Sequence, residues 1–494
     1  MKTPTPLPQP RSRHQHWQLA IAALCLALAG CKSMAPDYER PAAPVAEHFP
    51  QAGADTGTDA ASLAWQDYFA DATLQGLIGD ALANNRDLRS AIQRVEGARA
   101  LYGVQRADLF PGLNAQGSFA RSRTPEDMSL IGRPMVLSEY RAGFGISNWE
   151  LDFWGRIRSL RDAALETFLA AESSQRASAI SLVAQVANSY LNLRELDQRI
   201  LIAEKTIESR QESVRIFQRR FDVGSTSKLD LKQVQALLAQ AQTLLYQLQQ
   251  SRATELNALT LLVGKPVELA PAGHAFSETK MLHQLKPGLP SEVLTQRPDI
   301  IAAEHLLKSA NANIGAARAA FFPRVTLTTS LGTASRELNG LFDAGSHAWS
   351  FAPSVSLPIF DGWRNRSNLE FAEVRRDLAV TSYEQTIQTA FREVADALAA
   401  QHGIRQQLVS QQEMLDAQAE RARLAKLRYD HGATSYFEVL DAERSLLDVE
   451  QQLVQMQRAL FSSQVSLYAA LGGGSQSIAV SSPPITPINR QPAN

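Results

Sequence analysis

The 494-residue chain is poor in the residues that usually signal catalysis, metal binding or covalent cross-links. It contains two cysteines and nine histidines, and its formal net charge is −1. A charge so close to zero does not favour a nucleic-acid partner, which usually requires a strongly basic surface. The sequence also lacks a His-Glu-x-x-His zinc motif, a phosphate-binding glycine loop and a nucleophile elbow. We therefore predict a protein that is not an enzyme and that needs no cofactor beyond a covalent lipid.

The amino-terminal 30 residues are typical of a signal peptide rather than of a folded domain. Lys2, Arg11 and Arg13 precede an apolar run at residues 19–29, which is too short to span a bilayer as a helix. The run ends in Leu-Ala-Gly-Cys, a pattern typical of bacterial lipoprotein signal peptides. We therefore predict a signal peptide over residues 1–30 and a lipid, including palmitate, on Cys31. The alternative is an ordinary signal peptide with an incidental cysteine.

The residues around the predicted cleavage site indicate the destination of the mature chain. Lys32 follows the cysteine, in place of the aspartate that often retains lipoproteins in the inner membrane. The expected destination is therefore the outer membrane. The other cysteine, Cys25, lies in the part that is removed, so no disulfide is expected within the mature chain.

The mature sequence contains two copies of one pattern, which indicates a tandem repeat. Each copy reads as a helix, two strands, a very long helix, a tight turn and a return helix, and the copies cover residues 65–264 and 297–474. We predict that residues 31–64, rich in Pro, Ala and Gly, are extended and mostly irregular. Residues 265–296 are predicted to form a linker, and residues 475–494, with four prolines, to form a disordered tail.

Very long helical patterns dominate both copies. Residues 156–223 contain no proline or glycine, and apolar residues recur there every three or four positions. Such a helix would be roughly 100 Å long, which is typical of a coiled coil and not of a compact domain. The equivalent segment of the second copy is residues 364–430, which only Gly403 interrupts.

A glycine follows each long helix and predicts a tight turn. Gly224 and Gly432 can adopt the left-handed conformation that ends a helix. Thr434 or Ser435 can then cap the second return helix. Each copy is therefore predicted to carry a helical hairpin with its turn at one end.

Four segments alternate apolar and polar residues with a period of two, which predicts strands. Their expected bounds are about 112–121, 140–152, 324–332 and 350–360. In a bilayer the apolar positions would face lipid and the polar positions would line a lumen. The residues assigned to lipid are Leu113, Phe119, Phe144, Val325 and Leu327, and those assigned to the lumen are Asn114, Gln116, Thr326 and Thr328.

Four strands per chain are too few to close a membrane barrel. Unpaired strand edges are not tolerated in lipid, and the smallest membrane barrels have eight strands. Several chains must therefore share one barrel, or the strands belong to a soluble sandwich. Trp149, Trp154 and Trp363 flank the strands and favour the membrane, since aromatic residues concentrate at membrane interfaces.

Several short motifs carry a family resemblance. They are Pro36-Asp37-Tyr38-Glu39-Arg40-Pro41, Trp65-Gln66-Asp67-Tyr68-Phe69, Asn84-Asn85-Arg86-Asp87-Leu88-Arg89, Gln296-Arg297-Pro298-Asp299-Ile300 and Leu357-Pro358-Ile359-Phe360-Asp361-Gly362. Together they resemble the lipoprotein branch of the TolC-like outer membrane factors, the exit ducts of tripartite efflux pumps. The resemblance covers nearly all of the mature chain.

That resemblance implies a mixed α and β membrane protein. Each chain of a homotrimer would contribute four strands to one transmembrane β-barrel, continued by a long periplasmic α-helical coiled-coil tunnel. The duct would be anchored in the outer membrane by lipid and would pass drugs, toxic compounds or metal ions without chemistry. Its partners would be a periplasmic adaptor, also called a membrane fusion protein, and an inner-membrane pump, most often of the RND class.

In this family the second hairpin constricts the periplasmic mouth of the tunnel. The resemblance places Phe437 at an apolar ring, Asp441 at an inner acidic ring and Glu438 at an outer one. Three copies of Asp441 around a symmetry axis would repel one another and favour cations, and a phenylalanine ring can occlude the mouth by packing. On the residue pattern alone, the carboxylates are solvated charges on a helix face and Phe437 is a core residue.

The resemblance also implies a latch and a docking surface. Asp230 and Tyr429 occupy positions where the family forms hydrogen bonds between hairpins in the closed state. Thr434 departs from the pattern, because some members place an arginine there for the same purpose. Gly224 and Gly432 would present their turns to the hairpins of the adaptor, and binding of the adaptor to the open turn would favour opening.

Other functions remain open on the sequence alone. A structural coiled-coil protein accounts for the long helices but not for the strands, whereas a free-standing porin accounts for the strands but not for the helices. A duct that serves an ABC or MFS exporter, or protein secretion, accounts for both.

Overall fold

The computed structural model describes residues 33–49, 58–129, 131–271, 285–286 and 296–476. The predicted signal peptide, Cys31, most of the linker and residues 477–494 of the tail lie outside this part of the chain. The helices are α1 (Trp65–Tyr68), α2 (Ala72–Asn84), α3 (Arg86–Ala107), α4 (Arg156–Asp222), α5 (Lys228–Val263), α6 (Pro298–Ala319), α7 (Arg364–Asp430) and α8 (Tyr436–Ala470). The strands are β1 (Thr58–Asp59), β2 (Leu113–Thr124), β3 (Met135–Glu150), β4 (Leu285–Lys286), β5 (Arg324–Ser335) and β6 (His347–Ser356).

The chain divides into two compact units, each built from three stretches of sequence. The first, which we call the sheet unit, comprises residues 1–41, 96–170 and 303–383. The second, the hairpin unit, comprises residues 42–95, 171–302 and 384–494. None of the helices in the described residues is long and apolar enough to cross a membrane.

The sheet unit contains one four-stranded antiparallel sheet in the order β2-β3-β5-β6. Its register pairs Leu113 with Ile146, Phe119 with Tyr140, and Phe144 with Leu331. Because side chains alternate along each strand, these residues share one face of the sheet. Asn114, Gln116, Thr326 and Thr328 lie on the opposite face, so the predicted division into an apolar and a polar face is confirmed.

The strand bounds differ from those expected from the sequence. The first hairpin is longer, because the backbone ladder continues through polar residues to the pair of Thr124 with Met135. A bulge lies between Ile146 and Trp149, where Asn148 adopts a φ of 51°. The last strand begins and ends earlier than predicted, at residues 347 and 356; Pro358 has no N–H to donate to a ladder.

The hairpin unit has an apolar core that joins its first helices to its last. The rings of Tyr68 and Tyr468 stack with centroids 4.2 Å apart, and both residues are buried. Their hydroxyl groups donate to the carbonyl oxygens of Gln464 and Leu63 at 2.9 and 3.0 Å. A two-residue parallel pairing of β1 with β4 gives order to segments that the sequence predicted to be irregular or linker.

Both hairpin turns close in the same way. Gly224 and Gly432 have φ values of 73° and 71°, as predicted for left-handed helix ends. The amides of Gly432 and Ala433 donate to the carbonyl oxygens of Tyr429 and Arg428, which is the Schellman pattern. Helix α7 runs through Gly403 without a break.

Candidate functional site

The two hairpin turns of the hairpin unit share a small apolar core. Its buried members are Phe217 of α4, Leu231 and Val234 of α5, and Leu440 of α8. On another face of α8, Val439 and Ala442 pack with Ala425 of α7. These two contacts fix the rotation of α8 and leave a third face exposed.

The exposed face of α8 carries the residues that the sequence assigns to the gate. Phe437, Asp441 and Arg444 are spaced by four and three positions, so they form one stripe along the helix. The phenylalanine is 61% exposed and therefore does not belong to the core of its own chain. The stripe thus presents an apolar side chain close to the turn, followed by charged side chains further along the helix.

Asp441 is held between two arginines. Arg421 of α7 donates to one carboxylate oxygen and Arg444 of α8 donates to the other, each at 2.6 Å. The aspartate side chain is 28% exposed, so both ion pairs lie in contact with solvent. The two arginines weaken the repulsion that the sequence predicted between the Asp441 side chains of a trimer.

Glu438 also faces an arginine. The guanidinium of Arg428 lies 3.4 Å from its carboxylate, and both side chains are at least half exposed. Together with Asp441, Arg421 and Arg444, these residues make a group of three arginines and two carboxylates. The group has a net positive charge in each chain, in contrast to the acidic character predicted from the carboxylates alone.

Tyr429 forms a hydrogen bond between the two hairpins. Its hydroxyl accepts a hydrogen bond from Arg220 of α4, whose guanidinium also lies 5.5 Å from the centre of its ring. The neighbouring Tyr436 donates to Ser213 of α4 at 2.7 Å and packs against Phe217 with ring centroids 4.4 Å apart and an angle of 40° between the rings. Burial raises the pKa of Tyr436, so this hydroxyl stays protonated.

Asp230 serves the first turn itself. Its carboxylate accepts hydrogen bonds from the hydroxyl of Ser227 at 2.7 Å and from that of Thr226 at 3.1 Å. The Ser227 hydroxyl accepts in return from the Asp230 amide, which completes a capping box at the start of α5. These bonds, led by the one from Ser227, hold the pKa of Asp230 below its usual range. By contrast, Ser435, one of the two predicted caps of α8, makes no side-chain capping bond.

Sequence reasoning missed most of the basic partners at this site. Arg444 was detectable, because it lies three residues after Asp441 on a predicted helix. Arg421 and Arg220 lie 20 and 209 positions from their partners. No local spacing reveals contacts of that separation, since they depend on how the helices are rotated.

Buried charges lie further along the same hairpins. Arg210 is buried and donates to the carbonyl oxygen of Leu237 at 2.6 Å. Burial lowers the pKa of Arg210 and raises the pKa values of Glu443 and Glu450. These three residues line one cavity of about 450 Å³ between α4, α7 and α8. No group of three His, Cys, Asp or Glu side chains suited to a metal ion occurs in the described residues.

In the sheet unit, an extended segment that we call the strap, residues 33–40, lies along α6. The carbonyl oxygen of Pro36 accepts from Asn311 at 2.8 Å, and Arg40 donates to Glu304 at 2.8 Å. A Cβ atom added to Gly315 would lie 2.6 Å from the backbone nitrogen of Ala35, so only glycine fits beneath the strap. The strap therefore runs antiparallel to α6 and brings its first residues to the end of that helix.

Charge strengthens the far end of the strap. The carboxylate of Glu304 also accepts from Lys308 at 3.1 Å, and the ammonium group of Lys308 lies 5.2 Å from the centre of the Tyr38 ring. Although burial alone would raise the pKa of Glu304, the hydrogen bonds from Lys308 and Arg40 hold it below its usual range. Ser33, at the other end, shares a hydrogen bond with Ser159 of α4 at 2.9 Å.

Comparison with known proteins identifies the chain. The family described as outer membrane efflux protein matches residues 77–265 and 289–473, which correspond to the two repeats. The outer membrane protein OprJ of Pseudomonas aeruginosa is 44% identical over 452 residues, with 91% of this chain and 94% of OprJ covered. The solvent efflux pump outer membrane protein SrpC of Pseudomonas putida is 44% identical over 458 residues, with 91% and 96% covered.

A solved structure gives the same result. The open state of the MtrE outer membrane channel of Neisseria gonorrhoeae matches with a TM-score of 0.82 and 38% identity, over 90% of this chain and 98% of that one. Proteins of this kind are homotrimeric ducts that span the outer membrane, extend into the periplasm and work with adaptors and inner-membrane pumps. They carry out transport and not catalysis. The chain belongs to the outer membrane efflux protein family and is an outer-membrane exit duct for efflux.

Proposed function

We propose that the exposed stripe of α8 forms the periplasmic gate of this duct. The observation that carries the proposal is the exposure of Phe437, at 61%, on a helix whose other two faces are packed within the chain. Phe437 is thus free to pack against its own copies around the threefold axis of the trimer. Three such rings close a narrow opening by packing and by excluding water.

The charged residues set what the gate admits. Asp441 and Glu438 form the acidic rings, and each is paired in this structure with arginines of the same hairpin. Separation of α7 from α8 would remove Arg421 from Asp441 and expose the carboxylate. Opening therefore makes the mouth more acidic, which favours cationic and neutral cargo over anionic cargo.

A latch between the hairpins holds the gate closed. Tyr429 and Arg220 form its centre, and the contact of Tyr436 with Ser213 supports it. Asp230 contributes indirectly, because its capping box with Ser227 fixes the start of α5. This arrangement does not require an arginine at position 434, where the chain has Thr434.

The partners and cargo follow from the family. We propose a periplasmic adaptor that binds the turns at Gly224 and Gly432, and an inner-membrane pump of the RND class. We propose that the cargo consists of drugs, solvents and other toxic compounds; the relative SrpC is named as part of a solvent efflux pump. Passage through the duct needs no cofactor.

Cys31 carries the lipid anchor. The proposal rests on the Leu-Ala-Gly-Cys pattern at residues 28–31, which is typical of bacterial lipoprotein signal peptides.

A susceptibility test distinguishes a gated duct from an open pore. Deletion of the gene from its host should raise susceptibility to hydrophobic compounds, and the wild-type chain should restore resistance. Phe437→Ala should also restore it, but should admit a large hydrophilic antibiotic that the wild type excludes. Equal entry of that antibiotic through both proteins would refute the gate, and failure of the wild type to restore resistance would refute the efflux role in that host.

A further inference from the structure

The outer end of the sheet carries two arginines on its apolar face. Along β2 that face shows Leu113, Ala115, Gly117 and Phe119, and then Arg121 and Arg123. Both arginines are exposed, and they are the last two residues on this face before the loop at residues 125–134. The base of the strand follows α3, so the arginines lie at the end of the sheet that is remote from the helices of this unit.

The distance along the strand places these arginines at the membrane boundary. Eight and ten residues separate them from Leu113, which corresponds to roughly 27 and 34 Å of strand. A tilt of about 40° reduces these lengths to roughly 21 and 26 Å across the bilayer, and the apolar band of such barrels is about 25 Å tall. Arg123 therefore reaches the headgroups, and Arg121 can extend its side chain to the same level.

An aromatic pair lies on the same face, one step below Arg121. Phe119 packs against Tyr140 with ring centroids 4.5 Å apart and an angle of 31° between the rings. Tyrosine is enriched where lipid meets water, because its ring is apolar and its hydroxyl is polar. Arg121 follows directly beyond this pair on the same face, opposite Ser138.

No carboxylate neutralises the two arginines within the described residues. Glu139 of β3 lies nearby, but it is on the opposite face and pairs with Arg141 at 2.6 Å. Glu126 and Asp127 follow in the loop, and neither forms an ion pair with Arg121 or Arg123. The lumenal face is thus balanced at this level, whereas the lipid face carries two unpaired positive charges.

We propose that Arg121 and Arg123 bind the phosphate groups of the phosphorylated glycolipid of the outer leaflet. A guanidinium group offers parallel N–H donors that match a phosphate, and the apolar band below offers a surface for the acyl chains. Free phosphate would use only the first of these contacts. Closure of the barrel pairs the backbone edge of β2 with a neighbouring copy and leaves this side-chain face turned to lipid.

Binding of purified trimer to lipid A tests the site. The probes are fluorescent lipid A with both phosphates and the same lipid without phosphates, each added to protein in detergent. Wild type should bind the phosphorylated form about tenfold more tightly, and Arg121→Gln with Arg123→Gln should abolish the preference. The matched control is Arg141→Gln, which removes an arginine from the lumenal face, opposite Ser118 and below the two proposed residues, and should keep the preference.

Four results would overturn the proposal. One is an unchanged preference in the double variant, and another is full competition by inorganic phosphate, which would indicate a phosphate site without lipid. The third is a double variant that loses the heat-resistant trimer yet retains the preference, which would indicate a contact between subunits. If the double variant fails to assemble, each single variant should lose part of the preference, and Arg121→Lys with Arg123→Lys should keep most of it; single variants that bind as wild type does would reject the site.

Discussion

Arg421 donates a hydrogen bond to the carboxylate of Asp441 at 2.6 Å, across the turn that joins α7 to α8. Because the two residues lie on different helices of one hairpin, this bond is lost when the helices separate. It therefore couples the shape of the hairpin to the charge at its end. Arg444, on the same helix as the aspartate, remains beside it in either state.

The first prediction concerns this coupling. Replacement of Arg421 by glutamine should increase the affinity of the mouth for cations, because Asp441 loses one of its two positive neighbours. A unit charge at about 4 Å contributes about 1 kcal/mol in water, so the blocking concentration of a trivalent cation should fall roughly fivefold or more. The measurement is cation block of channel conductance in a planar bilayer.

The control for that prediction is Arg423→Gln. Arg423 lies two residues away on the same helix, and it pairs with Glu420 on an exposed surface. The trivalent cation should block this variant at the same concentration as it blocks wild type. If the cation blocks wild type, Arg421→Gln and Arg423→Gln at the same concentration, Asp441 does not contribute to the charge of the mouth.

The second prediction concerns the latch. Arg220→Ala removes the donor to Tyr429 and the cation above its ring, whereas Tyr429→Phe removes only the hydroxyl. Loss of a hydrogen bond of about 1 kcal/mol should raise the open fraction roughly fivefold, with the arginine variant more affected. Open-channel lifetime in a bilayer measures this, and Arg219→Ala, one residue away, should leave it unchanged. A larger effect of the Arg219 variant would exclude the latch.

Much of this architecture is readable from the sequence, and the reason is periodicity. The long helices, the glycine turns and the two faces of the strands follow from repeats of 3.6 and 2 residues that extend over many positions. The fold class was predicted together with the family, which the comparisons confirm. The predicted strand ends were less accurate, because residues 122–124 continue the ladder although none of them is apolar.

The partners of the candidate site were less predictable. Asp441 and Tyr429 stand in recognisable positions, but Arg421 and Arg220 contact them only because helices distant in sequence are brought side by side. The strap shows the same limit. Nothing around Gly315 predicts that Ala35 lies on it, since that contact joins residues 280 positions apart.

The third prediction concerns pH. Burial raises the pKa values of Glu443 and Glu450, against the opposing charges of Arg210, Lys426 and Lys205. When the pH lies between the usual carboxyl pKa and the raised pKa, the packed hairpins bind more protons than separated hairpins do. The packed state should therefore gain stability as the pH falls through this window, and should lose it as the pH rises.

The test of that linkage is thermal dissociation of the trimer between pH 7 and pH 5. Wild type should become more stable on acidification. Glu443→Gln with Glu450→Gln should be more stable than wild type at pH 7 and should respond less to pH. Glu208→Gln, an exposed change on α4, should keep the wild-type response, and an identical slope for the double variant would reject the linkage.

The fourth prediction concerns the strap. Leucine at position 315 would place its Cβ within 3 Å of both the Ala35 nitrogen and the Ser159 hydroxyl, so the strap should be displaced. Limited proteolysis should then cut within residues 33–41 at least about tenfold faster, because an undocked segment is accessible. Gly103→Leu, at a site with nothing within 4 Å, is the matched control. Equal cleavage of both variants would show that Gly315 does not hold the strap.

The most direct test of the gate is single-channel conductance of the purified trimer with and without Phe437. Wild type should conduct weakly, and Phe437→Ala should raise the conductance several-fold, because an apolar constriction is lost. Phe221→Ala, which removes the phenylalanine of the first turn, should change it little. A wild type that already conducts widely, with no further increase in Phe437→Ala, would contradict the assignment of the gate to this helix.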